Sequence, residues 1–153
     1  MENKPKFVLM VGLPRSGKST WIENNKDNDD GYVVISNDWI RENIFKSEHS
    51  RTTNPALWMI TDATIRLLLS QNKNVIMDGV NHLKFVRSEF IVTAEEMNAE
   101  VVIVWVNTPL ETCLVRNKGE NYKLNNKRLK RFADEFEIPE SSECNTLIKT
   151  EST

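Results

Sequence analysis

The chain has 153 residues and a net charge of −2, which is the size of one ordinary domain, long enough to bury roughly 70% of its unfolded surface without staples. The slight negative charge excludes a protein whose whole surface binds nucleic acid, so a polyanion would have to use a local basic groove. The two cysteines, Cys113 and Cys144, have neither CxxC nor metal-ligand spacing, and they read as reduced thiols of a cytoplasmic protein.

In chain order, a polar start, "MENKPK", precedes an apolar run too short for a signal sequence or a membrane span. We therefore expect a cytoplasmic protein with no membrane partner. Lys6–Val11 is predicted as the first strand. "GLPRSGKST" follows it and opens a helix. Further strands are expected at Tyr32–Ser36, Asn74–Asp78, Val101–Val106 and, more weakly, Asn145–Lys149. Between them, Leu57, Ile60, Thr64, Leu67 and Leu68 recur at helical steps, as do Leu83, Val86, Phe90, Ala94 and Met97. Pro55 and Pro109 stand where the first turn of a helix tolerates proline. Leu129, Phe132 and Phe136 form a last apolar stripe, stopped by Pro139. Strands alternating with helices predict βαβ units and a parallel sheet. The polar, basic stretch 117–126 is expected to be a lid, and residues 1–153 one domain.

The most specific signal is the glycine-rich loop. Gly12 and Gly17 let the backbone curl its N–H groups toward phosphate oxygens. Lys18 would approach the β- and γ-phosphates, and the Ser19 hydroxyl suits Mg2+. The expected nucleotide-binding set is Gly12, Pro14, Arg15, Ser16, Gly17, Lys18, Ser19 and Thr20. Arg15 reads either as a phosphate contact or as a solvated side chain.

The guanine-switch motifs do not fit. "NVIMD" is not followed by the spacing of DxxG, and "NKGE" follows a helix rather than a strand. A small kinase needs an acidic group near the loop to take or orient the acceptor's proton. "SNDWIR" supplies Asp38, which is either that base or a helix N-cap, with Arg41 on the same face. Asp78 closes the third strand as either a Mg2+ ligand or a turn residue. His82 reads as a solvated or hydrogen-bonded histidine. Among the late cations Arg116, Lys118, Lys123, Lys127, Arg128 and Arg131, the two expected to meet phosphoryl oxygens are Arg116 and Arg131. Trp39 is either a stacking surface or core, whereas Trp21, Trp58 and Trp105 belong to apolar patterns and read as packing.

"GLPRSGKSTW", "SNDWIR", "VIMDGVN", "VNTPLETCLVRN" and "RFADEFEIP" together resemble, in order and over nearly the whole chain, the small P-loop kinases related to phage 5′-hydroxyl polynucleotide kinase and a group of stand-alone kinase-like ATP-binding proteins. The resemblance implies an α/β, three-layer P-loop NTPase fold of the nucleotide-kinase type. Its sheet is five-stranded and mostly parallel, in the order 2-3-1-4-5, with a short lid. It also implies that Asp38 is the general base, that Arg41 holds an acceptor phosphate, and that Arg116 contacts the donor's phosphates. Arg131 matches an arginine of the stand-alone group. The sequence departs from the polynucleotide kinases in lacking a second lid arginine, and in carrying Asn37 in place of a basic residue and Trp39 in place of an acid.

The expected activity is therefore transfer of the γ-phosphoryl of ATP, with Mg2+, to a hydroxyl, led by a polynucleotide 5′ end in single-stranded nucleic acid. A hydroxymethylated DNA base, a nucleoside or sugar, and a nucleotide-binding regulator that transfers nothing stay open as alternatives. The oligomeric state also stays open.

Overall fold

The computed structural model describes residues 3–45, 55–118 and 124–151. Five strands form one sheet: β1 (Lys6–Val11), β2 (Tyr32–Ser36), β3 (Asn74–Asp78), β4 (Glu100–Val106) and β5 (Thr146–Thr150). Their order is β2-β3-β1-β4-β5, and all four pairings are parallel. The expected order holds, and "mostly parallel" becomes wholly parallel among the described strands. The helices are α1 (Lys18–Asn25), α2 (Asn37–Ile40), α3 (Pro55–Ser70), α4 (Lys84–Glu96), α5 (Leu110–Lys118) and α6 (Asn126–Glu135). A π-helical turn, Arg41–Phe45, continues α2.

Alternation along β1 assigns the layers. Phe7, Leu9 and Val11 face one side, where Leu57, Ile65 and Leu69 of α3 and Phe90, Ile91 and Ala94 of α4 cover them. Val8 and Met10 face the other side, against Ile22 of α1. Burying each such side chain contributes about 1.5–3 kcal/mol before chain entropy is counted. A third cluster joins Leu13, just past β1, to Cys113 of α5 and Leu129 of α6, so both late helices pack on the glycine-rich loop. The outer strands are less covered, with Val33 38% and Val34 41% exposed on β2.

Two expectations about packing change. The buried stripe of α3 is Leu57, Thr61, Ile65 and Leu69, while Leu67 is exposed. An i, i+4 row makes the contact, and the three- and four-residue steps in the sequence mixed it with its flank. Trp39 is 58% exposed, which rules out its reading as core, because α2 is one turn long and buries only Ile40. Trp21, Trp58 and Trp105 do pack against the core.

Arg87 of α4 is fully buried, which its place in an apolar helix face did not signal. Its Nε donates to Glu143 at 2.9 Å and its Nη1 to the Asn81 carbonyl at 3.0 Å. Glu143 also accepts from the Glu140 amide. Removing one partner of such a pair strands a buried charge and costs about 3–5 kcal/mol. Arg87→Ala is expected to lose that much in chemical denaturation. Arg87→Met combined with Glu143→Leu is expected to recover most of it.

Candidate functional site

The carboxyl ends of β1, β2 and β3 converge because the strands run parallel in register, with Ser36 opposite Asp78. β1 leads directly into the loop. Gly12 donates its amide to the Val80 carbonyl at 3.0 Å, and a Cβ on Gly12 would meet Ser16 Oγ at 2.8 Å and the Val106 carbonyl at 2.9 Å. Arg15 (φ 69°) and Gly17 (φ 109°) adopt left-handed backbone, so the chain curls before α1 begins. Gly17 caps α1 without a side-chain bond, and no acid occupies the first turn. The first amides of α1 and its dipole are thus left for an anion. Ser16 Oγ is buried with no hydrogen-bond partner among the described residues. A buried orphan hydroxyl of this kind costs about 1–3 kcal/mol and fits a loop shaped for a ligand that supplies partners.

Lys18 folds back over the loop, its Nζ donating to the carbonyls of Gly12 at 2.9 Å and Leu13 at 2.8 Å. Burial lowers its pKa to about 8, opposed by the carboxylates of Asp78 and Asp38. Burial pushes the Asp78 carboxyl upward, the Lys18 ammonium pulls it down, and Asp38 adds to the rise. Lys18, Asp78 and Asp38 therefore share one electrostatic site. Ser19 and Thr20 are exposed in the first turn of α1, and Pro14 is half-buried. Among the described residues no cluster of three or more histidine, cysteine or acidic side chains could cage a metal ion. The oxygen donors expected from the sequence are the hydroxyl of Ser19, exposed in the first turn of α1, and the carboxylate of Asp78 at the end of β3. A hard cation that keeps waters and takes substrate phosphates suits so small a set.

α2 carries the acidic residue foreseen from "SNDWIR". Its N-cap is Ser36, whose hydroxyl accepts from the Trp39 amide at 3.4 Å. Asp38 is therefore not the cap. Its carboxylate is 83% exposed and ion-paired with Arg41, and Arg41 Nε is buried without a hydrogen-bond partner among the described residues. Thr61 of α3 donates to Asn37 at 2.8 Å and ties the turn down.

Arg116 reaches the loop, its Nη1 donating to the Arg15 carbonyl at 3.0 Å. Arg15 Nε donates to Asn117 at 3.4 Å, and Asn117 donates to the Leu124 carbonyl and to Asn126. Of the expected lid, 117–118 end α5, Asn126 opens α6, and 119–123, with Lys123, lie outside the described residues. Arg131 projects from the outer face of α6 and pairs with Glu135 at 2.9 Å. His82 is hydrogen-bonded, lying 3.4 Å from Glu135 and edge-on to Phe132.

Two residues of the site escaped the sequence. Asn81 (φ 47°), three residues past β3, donates to the Met10 carbonyl at 2.8 Å and holds the end of β1 that leads into the loop. Thr108 donates to the Ser16 carbonyl at 2.7 Å from the end of β4. An asparagine in the turn after the strand-ending Asp78, two residues past Gly79 and able to take positive φ, was the available signal for the first.

The fold and loop define a kinase-like P-loop nucleotide-binding domain. A family model described as AAA domain matches residues 7–139, and the chain belongs to that family. It is 25% identical over 143 residues to the L-seryl-tRNA(Sec) kinase of Methanococcus maripaludis, an alignment covering 87% of this chain and 53% of that protein. The chain thus spans about half the length of this curated relative. A chain of the Pnkp1/Rnl/Hen1 complex superposes with a TM-score of 0.68 at 25% identity, over 82% of this chain and 42% of that one. Kti12 of Chaetomium thermophilum, solved with ADP-AlF3, superposes with a TM-score of 0.71 at 18% identity, over 95% and 88% of the two chains, and shares the fold. Among the described residues, no helix is long and apolar enough to cross a membrane.

Two measurements follow from this geometry. Gly12→Ala is expected to cost about 1–3 kcal/mol from overpacking against a backbone carbonyl that cannot retreat, and to abolish nucleotide binding, read by melting temperature and calorimetric titration. Phosphate oxygens favour the charged form of Lys18, so binding takes up a proton once the free lysine deprotonates. Nucleotide affinity is expected to fall as pH rises through about 8, by up to about tenfold per pH unit. Calorimetry in two buffers of different ionisation heat reads that proton uptake.

Proposed function

We propose that the chain is an ATP-dependent phosphotransferase whose acceptor is a hydroxyl carried on nucleic acid, first a polynucleotide 5′-hydroxyl. The observation that carries this reading is Asp38. Its exposed carboxylate is held by Arg41 at the end of β2, within electrostatic reach of Lys18 and Asp78. A carboxylate that caps no helix and lies beside a phosphate loop is placed to accept a proton.

In this scheme the acceptor oxygen attacks the γ-phosphorus of ATP as its proton passes to an Asp38 oxygen. The new O–P bond forms as the bond to the β-bridging oxygen breaks, and ADP leaves. Arg41 orients Asp38 and offers its remaining donors to an acceptor phosphate. Lys18 exchanges the Gly12 and Leu13 carbonyls for phosphate oxygens, and Gly12, Pro14, Arg15, Ser16, Gly17, Ser19 and Thr20 line the donor's phosphates. Arg116, already on the loop backbone, is placed to stabilise charge spreading over the transferred group, and Arg131 would have to release Glu135 to join it. Ser19 and Asp78 would hold Mg2+, which supplies neutralisation of the phosphate oxygens when bound. The exposed indole of Trp39, next to Asp38, offers a face on which a base can stack, worth about 1–3 kcal/mol.

Of the two relatives at 25% identity, the one named as a kinase of seryl-tRNA supports a nucleic-acid acceptor. The seryl hydroxyl on tRNA is thus a second acceptor to try. Labelled ATP should transfer to 5′-hydroxyl oligonucleotides or seryl-tRNA in preference to free nucleosides, sugars and hydroxymethylated DNA. Asp38→Asn is expected to lower kcat by about 10²–10⁴-fold while ATP affinity changes little. Label on none of the nucleic-acid acceptors, or transfer that survives Asp38→Asn, overturns the assignment.

A further inference from the structure

The outer face of α6 carries four cations within five residues. Lys127, Arg128, Lys130 and Arg131 are all exposed, and at helical spacing they share the arc opposite Leu129, which is fully buried against Leu13 and Cys113. The same packing seats α6 on the phosphate loop through its Leu129 face and turns the cationic arc outward to solvent.

Helix stability does not account for the placement. α6 has no acid in its first turn and no cation in its last, while Asp134 and Glu135 stand at its carboxyl end. This is the reverse of what the helix dipole favours, at about 0.3–1 kcal/mol per charge. Lys127 and Arg131 at i, i+4 add like-charge repulsion. Arg131 has Glu135 and Arg128 lies over the Phe132 ring at 5.6 Å, but among the described residues neither Lys127 nor Lys130 has an ion-pair partner. The cations are held near one another at a helix end that is itself positive, in a chain whose net charge is negative.

We infer that this face docks the phosphodiester backbone of a nucleic acid while its hydroxyl-bearing end lies at Asp38. The choice of occupant rests on the acceptor reading above. A row of point charges suits a row of phosphates. A membrane-surface helix would instead need apolar side chains flanking its cations, whereas Phe132 and Ala133 are turned into the cluster with Leu129.

The test is the salt dependence of binding of a short single-stranded 5′-hydroxyl RNA, by fluorescence anisotropy, to protein loaded with a non-hydrolysable ATP analogue. The Lys127→Ala/Arg128→Ala/Lys130→Ala variant is expected to flatten the slope of log K against log salt by about 2, since each lost phosphate contact removes roughly 0.7. Its affinity should fall at least about tenfold while its affinity for the ATP analogue and its melting temperature hold. Arg128→Lys, which keeps the charge, should keep the wild-type slope. An unchanged slope overturns the inference, as does a parallel loss of ATP affinity, absence of RNA binding by the wild type, or binding to phosphatidylserine vesicles in place of RNA. Docking through α6 without label transfer would sink the acceptor reading and leave this surface standing. Transfer with an unchanged slope would do the opposite.

Discussion

Nothing larger than hydrogen fits on the α-carbon of Gly12, and the rest of the site is arranged around that fact. The Val106 carbonyl closes in from β4 and the Ser16 hydroxyl from the loop itself, at distances no methyl group tolerates. The Gly12 amide is fixed to Val80. The loop is thus clamped by the ends of the two strands that flank β1, and its curl is set by neighbours rather than by its own flexibility. Thr108, Asn81 and Arg116 add further ties to its backbone or to the strand beneath it. Such bracing orients amides and an ammonium before any ligand arrives, so little ordering entropy remains to oppose binding.

The electrostatics follow from the same enclosure. Burial makes the Lys18 charge expensive, and two loop carbonyls with the Asp78 and Asp38 charges partly offset that cost. Asp78 is desolvated in turn. Each charge in the group is incompletely satisfied by the others, and an added polyanion with its counter-cation complements both signs. The exposed Asp38 is the exception, since water reaches it.

Much of this was legible in the residues. Runs such as "VVIVWV" identify central strands because both faces of a parallel strand are buried, and the spacing "GLPRSGKS" between strand and helix fixes a phosphate loop. What was not legible depended on partners distant in sequence. Arg87 looks like a surface break in an apolar helix until Glu143 arrives from 56 residues away. Trp39 reads as either core or a stacking surface until its 58% exposure excludes core. Asp38 competes with Ser36 for the cap, and only the geometry shows that Ser36 takes it. Arg131 lies in a motif whose letters match, yet its partner is Glu135 on the same helix, a choice that spacing alone does not reveal.

β2, which bears α2, is an outer strand of the sheet, with its valines partly open to solvent and one neighbour, β3. β1, which bears the loop, is paired on both sides. The nucleotide end of the site is therefore built on a strand paired on both sides, and the end proposed for the acceptor on a strand paired on one. Val33, Val34 and Trp39 on this margin are exposed, so on the proposed reading substrate preference can drift at such positions while the phosphate loop stays put. On that proposed reading, one scaffold can be retargeted from one hydroxyl to another by changes at its margin.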